Sequence, residues 1–347
     1  MGKRNSFKIA SIYIGTVIGA GFASGQEMVQ FFGNYGLKGV YGVVVAGFLF
    51  GIIGSLILIN VHKHRVLSYS DWLRPLFGKP IQWLVEAILT ILLISWYCVM
   101  LAGSGALFQE QLGFTKESGI WFMTIITFIT FLFSMKGLAF INEMLVPVLI
   151  LGIIVLGGLV IVHGPWDLSN EVGVTLRVNT GNWLTSSLLY VSYNSIGAAM
   201  VMSSLYPLIN NRGTAIGGGF LGGIGLGVMA FFLLIPILIL YTDVQGVEIP
   251  MMAIASKFGH KARIIYGGLL WFAMLTTAIA NGFVVIQSME RKFNLNHMAT
   301  CLVFCLITNP LAGFGFKTLV STLYPLFGYI GLILFIVALY RRVGLRN

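Results

Sequence analysis

The sequence predicts an all-α integral membrane protein with about ten transmembrane helices, and three observations carry this prediction. Hydrophobic residues make up 57% of the chain and charged residues only 9%, whereas soluble domains have about 25% charged residues. Ten apolar stretches approach the roughly 20 residues that a bilayer-spanning helix needs. The segments between these stretches are short, so the sequence leaves no room for a soluble domain.

The ten predicted spans follow one another along the whole chain. They cover residues 7–33, 37–60, 80–109, 118–136, 139–163, 182–207, 213–241, 263–290, 296–313 and 317–341. The N-terminal run resembles a secretory signal, but its length and the nine further spans favour an uncleaved first helix. Segment 247–260 is too short to span, so we expect a re-entrant or interfacial helix there.

The basic residues predict the orientation. If the N-terminus lies inside, 14 of the 21 Lys and Arg residues fall in inner segments, as the positive-inside rule expects. Both termini are therefore predicted in the cytoplasm of a cell-membrane protein. The formal net charge of +10 does not indicate nucleic-acid binding, because these residues are dispersed over short loops. The predicted partners are the lipid bilayer and a small solute, and the oligomeric state is left open.

Ten spans divide into two units of five, residues 1–163 and 164–347. An odd number of spans per unit forces the second unit to be inverted in the membrane, an arrangement common in secondary transporters. Both first helices of these units carry glycine and small polar residues near mid-membrane, over 15–25 and 192–199. The sequence therefore predicts broken helices in spans one and six.

Glycine costs about 1 kcal/mol relative to alanine in a helix, so Gly15, Gly19, Gly21 and Gly25 weaken the first span. Backbone unwound in a membrane must line a cavity or bind a ligand. The alternative is close helix packing through small residues. We expect the breaks to hold the solute through Gly19, Ala20, Gly21, Phe22, Asn194, Ser195 and Gly197.

Two adjacent hydroxyl side chains, Thr276 and Thr277, lie in the middle of span eight. Each either bonds to a carbonyl one turn earlier or contributes oxygen to a hard-cation site. The three cysteines, Cys98, Cys301 and Cys305, lie inside apolar runs and are interpreted as packing residues.

These residues carry a family resemblance. Gly15-Thr-Val-Ile-Gly-Ala-Gly-Phe22 resembles the broken first helix of neurotransmitter:sodium symporters, and Ala273-Met-Leu-Thr-Thr-Ala-Ile279 resembles their eighth. The resemblance implies a leucine-transporter-type fold. It also implies one sodium ion bound by the carbonyls of Gly15, Ile18 and Ala273 and the hydroxyls of Thr276 and Thr277.

The chain also resembles the YkvI-type bacterial membrane proteins of the amino acid–polyamine–organocation superfamily, through Gly-Ala-Gly-Phe-Ala-Ser-Gly-Gln-Glu at 19–27. Two positions depart from the symporter pattern. Phe22 replaces an Asn that binds a second sodium ion, and Gly25 replaces the Arg of the outer gate. A tyrosine of the third helix faces the substrate in the resembling transporters, so Tyr97 is the candidate contact here, with packing as the alternative.

Glu27 lies in the outer half of span one, where carboxylates are expensive and usually functional. With Lys317 it forms a candidate outer gate, unless the span ends earlier and Glu27 is a solvated end residue. Glu86 and Glu143 are candidate proton carriers if coupling is to protons.

The predicted function is a sodium-coupled symporter of a small amino-acid-like solute. The alternatives are a proton-coupled transporter or exchanger and a ligand-sensing receptor subunit on the same scaffold. The sequence carries no catalytic or nucleotide-binding motif, so we do not expect an enzyme, nor any cofactor beyond the coupling ion.

Overall fold

The computed structural model describes residues 2–66, 69–132, 138–164, 182–293 and 296–344, and the regular elements in these ranges are all helical. The first half contains α1 (Gly2–Val17), α2 (Ala20–Ala23), α3 (Gln26–Phe31), α4 (Leu37–His64), α5 (Tyr69–Leu112), α6 (Lys116–Leu132) and α7 (Leu138–His163). The second half contains α8 (Trp183–Met202), α9 (Arg212–Ile239), α10 (Tyr241–Val244), α11 (Pro250–Lys257), α12 (His260–Phe293), α13 (His297–Ala312) and α14 (Phe316–Gly344). Short 3-10 turns follow α3 at Gly33–Tyr35 and α8 at Ser203–Leu208.

Each predicted span coincides with a helix, and α1, α2 and α3 share the first span. In the described part of the chain, seven helices are long and apolar enough to cross a membrane, and α13 is a shorter apolar helix. The prediction of an all-α, multi-pass membrane protein is therefore confirmed. The count of ten crossings and the orientation of the termini stay predictions.

The lipid-facing surface is clearest on α4. Val44, Phe48 and Ile52 follow one another at four-residue intervals and are each about half exposed. Residues four apart share one face of an α-helix, so the three side chains form an apolar row. Such a row is expected where acyl chains replace water as the solvent.

The glycines of α9 allow it to pack closely against α4. A Cβ added at Gly223 would overlap the backbone nitrogen of Gly51, and one at Gly219 would overlap the nitrogen of Ser55. Small residues let membrane helices approach to backbone contact. The glycines of α9 therefore serve close packing against α4.

The long helices form two groups. The first group consists of α1–α3, α4, α8 and α9, and the second of α5, α6, α12 and α13. Helix α14 packs against α8 and α5, and α7 packs against α9 and α12. Four of the five helix pairs that the predicted repeat equates are in contact, namely α1 with α8, α4 with α9, α5 with α12 and α6 with α13. The division into inverted units stays a prediction, and residues 165–181 at its boundary lie outside the described residues.

The break predicted in span six is wrong. Helix α8 continues without interruption through residues 192–199 and changes to a 3-10 turn only at Ser203. The side-chain oxygen of Asn182 caps its start by accepting from the backbone N–H of Thr185 at 2.9 Å. The amide of Asn194 donates to the carbonyl of Tyr190 at 3.1 Å, a bond within the same helix, so this polar residue does not open the backbone.

Candidate functional site

The first span is interrupted between α1 and α2. A continuous helix would direct the N–H of Gly19 to the carbonyl of Gly15, but here it donates to Val17 at 2.8 Å. Gly19 has an extended backbone, with φ −97° and ψ −173°. The carbonyl of Gly15 thereby loses its helical donor, and the break predicted from the glycines is confirmed here.

A second interruption separates α2 from α3. Gly25 has φ +81°, in the left-handed region that favours glycine, and a Cβ there would lie 3.0 Å from the Cγ of Met251. The carbonyl of Ala23 accepts from the Tyr266 hydroxyl at 2.6 Å, and that of Ser24 accepts from the N–H of Met251 at 3.0 Å. Helices α11 and α12 therefore hold this turn in place. Helix α11 falls within the segment predicted as a short re-entrant or interfacial helix.

The turn directs the carboxyl group of Glu27 into the protein. Glu27 is 3% exposed and is the one charged residue buried among those whose side chains the structure describes. Its Oε1 accepts from the Tyr193 hydroxyl at 3.5 Å, and its Oε2 has no partner. A Cβ on Gly21 would lie 2.5 Å from Oε1 and 3.0 Å from the Tyr324 hydroxyl. Only glycine at position 21 leaves this space for the carboxyl group.

Two tyrosines lie next to this carboxyl group, and a tryptophan packs against one of them. Tyr193 of α8 stacks on Tyr324 of α14 with ring centroids 4.5 Å apart, and Trp96 of α5 meets Tyr193 edge-on at 5.9 Å. Gly21, Glu27, Trp96, Tyr193 and Tyr324 are called the Glu27 cluster below. The cluster joins α2 and α3, α8, α14 and α5, so both helix groups contribute to it.

Buried polar atoms without a partner are concentrated on the same helices. In the described part of the chain they include Oε1 of Gln26 and Oε2 of Glu27 on α3, the indole nitrogen of Trp96, and the hydroxyls of Tyr190 and Ser195 on α8. More than nine-tenths of buried polar groups in proteins are hydrogen-bonded. These atoms are therefore available to pair with a bound ligand or with water.

The residues predicted to bind sodium meet only in part. Thr277 of α12 lies against the first break, where a Cβ on Gly19 would be 4.0 Å from its hydroxyl oxygen. The Thr276 hydroxyl donates to the carbonyl of Ala273 at 3.1 Å. Because that bond uses the single hydroxyl proton, the lone pairs of Thr276 remain available to a cation. Ile18 is the first residue of the break and is buried.

The structure brings some of the predicted substrate contacts to the Glu27 cluster, but not Tyr97. Ala20 and Phe22 are fully buried beside Gly21, and Gly197 packs against the ring of Trp96. Tyr97 does not face this region, because its hydroxyl lies 2.8 Å from Thr127 of α6. The structure places Trp96 where Tyr97 was expected. Consecutive helical residues point about 100° apart, so a register difference of one residue accounts for the change.

The predicted gate between Glu27 and Lys317 is not formed. Lys317 is exposed, and its backbone N–H donates to Glu248 at 3.2 Å. Tyr324, which adjoins the carboxyl group, is seven residues further along α14, or about 10 Å of helix rise. The ion pairs in the described ranges are Lys257–Asp243 and His297–Glu290. Glu27 is therefore a buried carboxyl group rather than a surface gate or a solvated helix end.

The structure describes the side chain of one of the two candidate proton carriers. Glu86 is exposed, and the side chain of Glu143 lies outside those the structure describes. Within the described ranges, no three His, Cys, Asp or Glu residues are grouped so that they could hold a metal ion.

No protein-family profile matches the chain. Two proteins of Bacillus subtilis (strain 168) are similar over nearly the full length. Membrane protein YkvI is 29% identical over 343 residues, covering 95% of this chain and 94% of YkvI. Protein YyaD is 27% identical over 342 residues, covering 97% of this chain and 96% of YyaD. The similarity expected from residues 19–27 thus extends along the chain.

Solved structures share the fold at low sequence identity. The inward-facing conformation of Mhp1 matches with a TM-score of 0.70 at 14% identity, covering 96% of this chain and 74% of Mhp1. MhsT in complex with L-phenylalanine matches with 0.64 at 17% identity, covering 95% and 87%. The Eremococcus coleocola manganese transporter matches with 0.64 at 14% identity, covering 97% and 78%. The chain therefore has the fold of these transporters.

Proposed function

We propose that this protein is a secondary active transporter that carries a small amino-acid-like solute across the cell membrane, coupled to sodium. The observation that carries the proposal is the twice-interrupted first span, which turns a buried carboxyl group with one unpaired oxygen toward both helix groups. Interrupted helices at mid-membrane, lining a site between packed units, are the usual binding architecture of such transporters. The folds of Mhp1 and MhsT support the same function.

Alternating access follows from the two helix groups. Glu27 and Tyr193 belong to the first group, and Trp96 and Thr277 belong to the second. Rocking one group against the other would open the contact between these residues to one side of the membrane at a time. A solute that bridges the groups stabilises the closed arrangement by its differential affinity for it.

The sodium site is proposed between the first break and α12. Its ligands would be the carbonyls of Gly15, Ile18 and Ala273 and the hydroxyls of Thr276 and Thr277. Gly15 supports the site because its carbonyl has lost its helical donor. Thr277 supports it because its hydroxyl approaches Gly19. Sodium is a co-transported ion in this proposal, so a moderate number of neutral oxygens suits its repeated release.

The test uses the full chain purified in detergent, with its melting temperature measured against a panel of L-amino acids in sodium and in potassium buffer. We expect at least one compound to stabilise the protein more in sodium. Replacing Thr276 and Thr277 together with alanine should remove this sodium dependence. A matched control is the Thr90→Ala, Thr130→Ala pair, whose hydroxyls bond to carbonyls one turn earlier on α5 and α6.

Uptake into proteoliposomes completes the test. A sodium gradient should drive accumulation of the stabilising compound by the wild-type chain and by the control pair, and not by the Thr276, Thr277 variant. Sodium-stimulated uptake retained in that variant would contradict the proposed ion site. Absence of uptake by the wild-type chain would contradict the proposal of transport.

Proton coupling is the second candidate, because a buried carboxyl group such as Glu27 can carry a proton through a transport cycle. The two candidates separate in the uptake assay. Proton coupling predicts accumulation driven by an inwardly directed pH gradient without sodium, and it predicts that Glu27→Gln retains solute exchange while losing gradient-driven uptake.

A further inference from the structure

Glu27 identifies the group that the solute must carry. We infer that the solute presents a protonated amine to the free carboxylate oxygen of Glu27, inside the Glu27 cluster. The inference rests on the proposed function, and it names the chemical class of the solute and the residue that recognises it.

The first argument is charge. An ionised carboxylate is not buried without a compensating charge or several hydrogen bonds. Glu27 has one long bond to Tyr193, and neither of the ion pairs in the described ranges includes it. Because neither of these ion pairs supplies a cation to Glu27, its charge must be balanced by a bound proton or by a cationic ligand.

The second argument is hydrogen-bond polarity. The unpaired side-chain atoms on α3 are Oε2 of Glu27 and Oε1 of Gln26, and both residues are buried. A carboxylate and an amide oxygen are acceptors only, so they require donors. A proton bound to Glu27 provides a single O–H donor, whereas an ammonium group provides three N–H donors and also balances the charge of the carboxylate. A quaternary ammonium, which has no N–H, does not satisfy the same atoms.

The third argument is shape. Gly21 has no side chain, so the carboxyl group fits beside its backbone. The Tyr324 hydroxyl of α14 bounds the same space. Glu27 is 3% exposed and adjoins Tyr193 and Tyr324, whose rings are stacked, so the local dielectric is low. A charge-assisted hydrogen bond formed there is stronger than one formed in water.

The experiment compares pairs of probes that differ by exchange of an ammonium for a hydroxyl group. The pairs are L-leucine with 2-hydroxy-4-methylpentanoate, L-phenylalanine with 3-phenyllactate, and putrescine with 1,4-butanediol. Ethanolamine and choline form a fourth pair, in which both members are cations and only ethanolamine has N–H donors. Melting temperature and equilibrium binding are measured on the detergent-purified full chain at pH 7 in sodium buffer.

We expect one or more amines to bind, and their hydroxyl partners to bind at least about 100-fold more weakly, the usual loss when one member of a buried charge pair is removed. Glu27→Gln should remove this preference for the amine, and Glu27→Asp, which keeps the charge, should retain part of it. Glu117→Gln makes the same chemical change at an exposed carboxylate of α6 and should bind like the wild-type chain. Hydroxyl analogues that bind as tightly as the amines would overturn the inference, as would an amine preference that survives in Glu27→Gln.

The inference and the proposed function fail in different assays. Amine binding that depends on Glu27, combined with no uptake into proteoliposomes, would leave the inference standing and contradict transport in favour of ligand sensing. Uptake of a solute without any N–H donor would leave transport standing and overturn the inference.

Discussion

Trp96 and Tyr97, two consecutive residues of α5, face two buried polar regions that differ in how completely they are hydrogen-bonded. Trp96 belongs to the Glu27 cluster, where its indole nitrogen and the Oε2 of Glu27 have no partner. Tyr97 belongs to a second region, in which Thr127 and Thr124 of α6 and Asn309 of α13 join it. These four residues are called the Tyr97 network.

The polar side chains of the Tyr97 network are hydrogen-bonded. The Thr127 hydroxyl donates to the carbonyl of Thr124 at 3.0 Å, so the Tyr97 hydroxyl, 2.8 Å away, donates to Thr127. The amide of Asn309 donates to the Thr124 hydroxyl oxygen at 2.9 Å. A satisfied network of this kind rigidifies the helices that contribute to it. We interpret the second helix group as a fixed frame for this reason.

The Glu27 cluster has the opposite character. It lies where the first group meets α5 and α14, and its unpaired atoms make the arrangement costly without a ligand. Each buried unpaired group costs about 1–3 kcal/mol, which a bound solute can recover. The difference between the two regions indicates that a ligand can gain binding energy at the Glu27 cluster and not at the Tyr97 network. Four substitutions test this comparison.

The largest effect is expected from Gly21→Ala. The added methyl group would lie 2.5 Å from Oε1 of Glu27, so the carboxyl group must move while the backbone need not. We expect binding of the best amine to weaken on the order of 100-fold, about 2.7 kcal/mol, with little change in melting temperature. Gly268→Ala is the control, because a Cβ there meets nothing within 4 Å. Unchanged affinity in Gly21→Ala would show that the carboxyl position is irrelevant to binding.

Thr127→Val tests the paired region. The substitution keeps the shape and leaves the Tyr97 hydroxyl only a long contact of 3.8 Å to the sulfur of Cys305. We expect the free energy of unfolding to fall by about 1–3 kcal/mol, seen as a lower melting temperature with unchanged amine affinity. Adding Tyr97→Phe should cost less than the two single changes together, because the hydroxyl left unpaired is then absent. Additive losses would mean that the two hydroxyls are not coupled.

The sequence predicts much of this fold. Each of the ten predicted apolar spans coincides with helical structure. The glycines at 19 and 25 indicated the first-span breaks, because both positions adopt backbone that interrupts a helix. The same reasoning failed for span six. Ser192, Asn194 and Gly197 are helix-compatible when neighbouring helices surround them, so small polar composition alone does not predict a break.

The composition of the candidate site was harder to predict. Tyr97 was predicted from the resemblance, in which a tyrosine of the third helix faces the substrate, and the sequence does not fix the rotation of a helix to within one residue. Glu27 was paired with Lys317 because both were placed near the outer surface. The left-handed turn at Gly25 redirects the carboxyl group inward, and only the structure shows this turn. Tyr190 and Tyr193, three residues apart on α8, were a signal for an aromatic face that went unused.

Tyr266→Phe acts at the edge of the Glu27 cluster. Its hydroxyl donates to the carbonyl of Ala23 at 2.6 Å, so it holds the turn between α2 and α3 without contacting the carboxyl group. We expect a loss of about 1 kcal/mol in stability and only a few-fold loss of amine affinity, because the turn loosens while Glu27 stays intact. Tyr329→Phe, at an exposed tyrosine of α14, is the control for both measurements. A loss of affinity as large as that of Gly21→Ala would mean that the turn, and not the free carboxylate, limits binding.

Tyr190→Phe should have the smallest effect, and it tests the comparison most directly. Tyr190 and Tyr97 are both at most 1% exposed, and replacement by phenylalanine removes the same oxygen atom from each. The Tyr190 hydroxyl has no partner, so its removal should leave the melting temperature unchanged or slightly raised. Removal of the bonded Tyr97 hydroxyl should lower stability by about 1 kcal/mol. Since burial and chemistry are matched, a difference between the two variants measures hydrogen bonding alone. Equal losses would mean that the Tyr190 hydroxyl is paired without a ligand, and the contrast between the two regions would then be wrong.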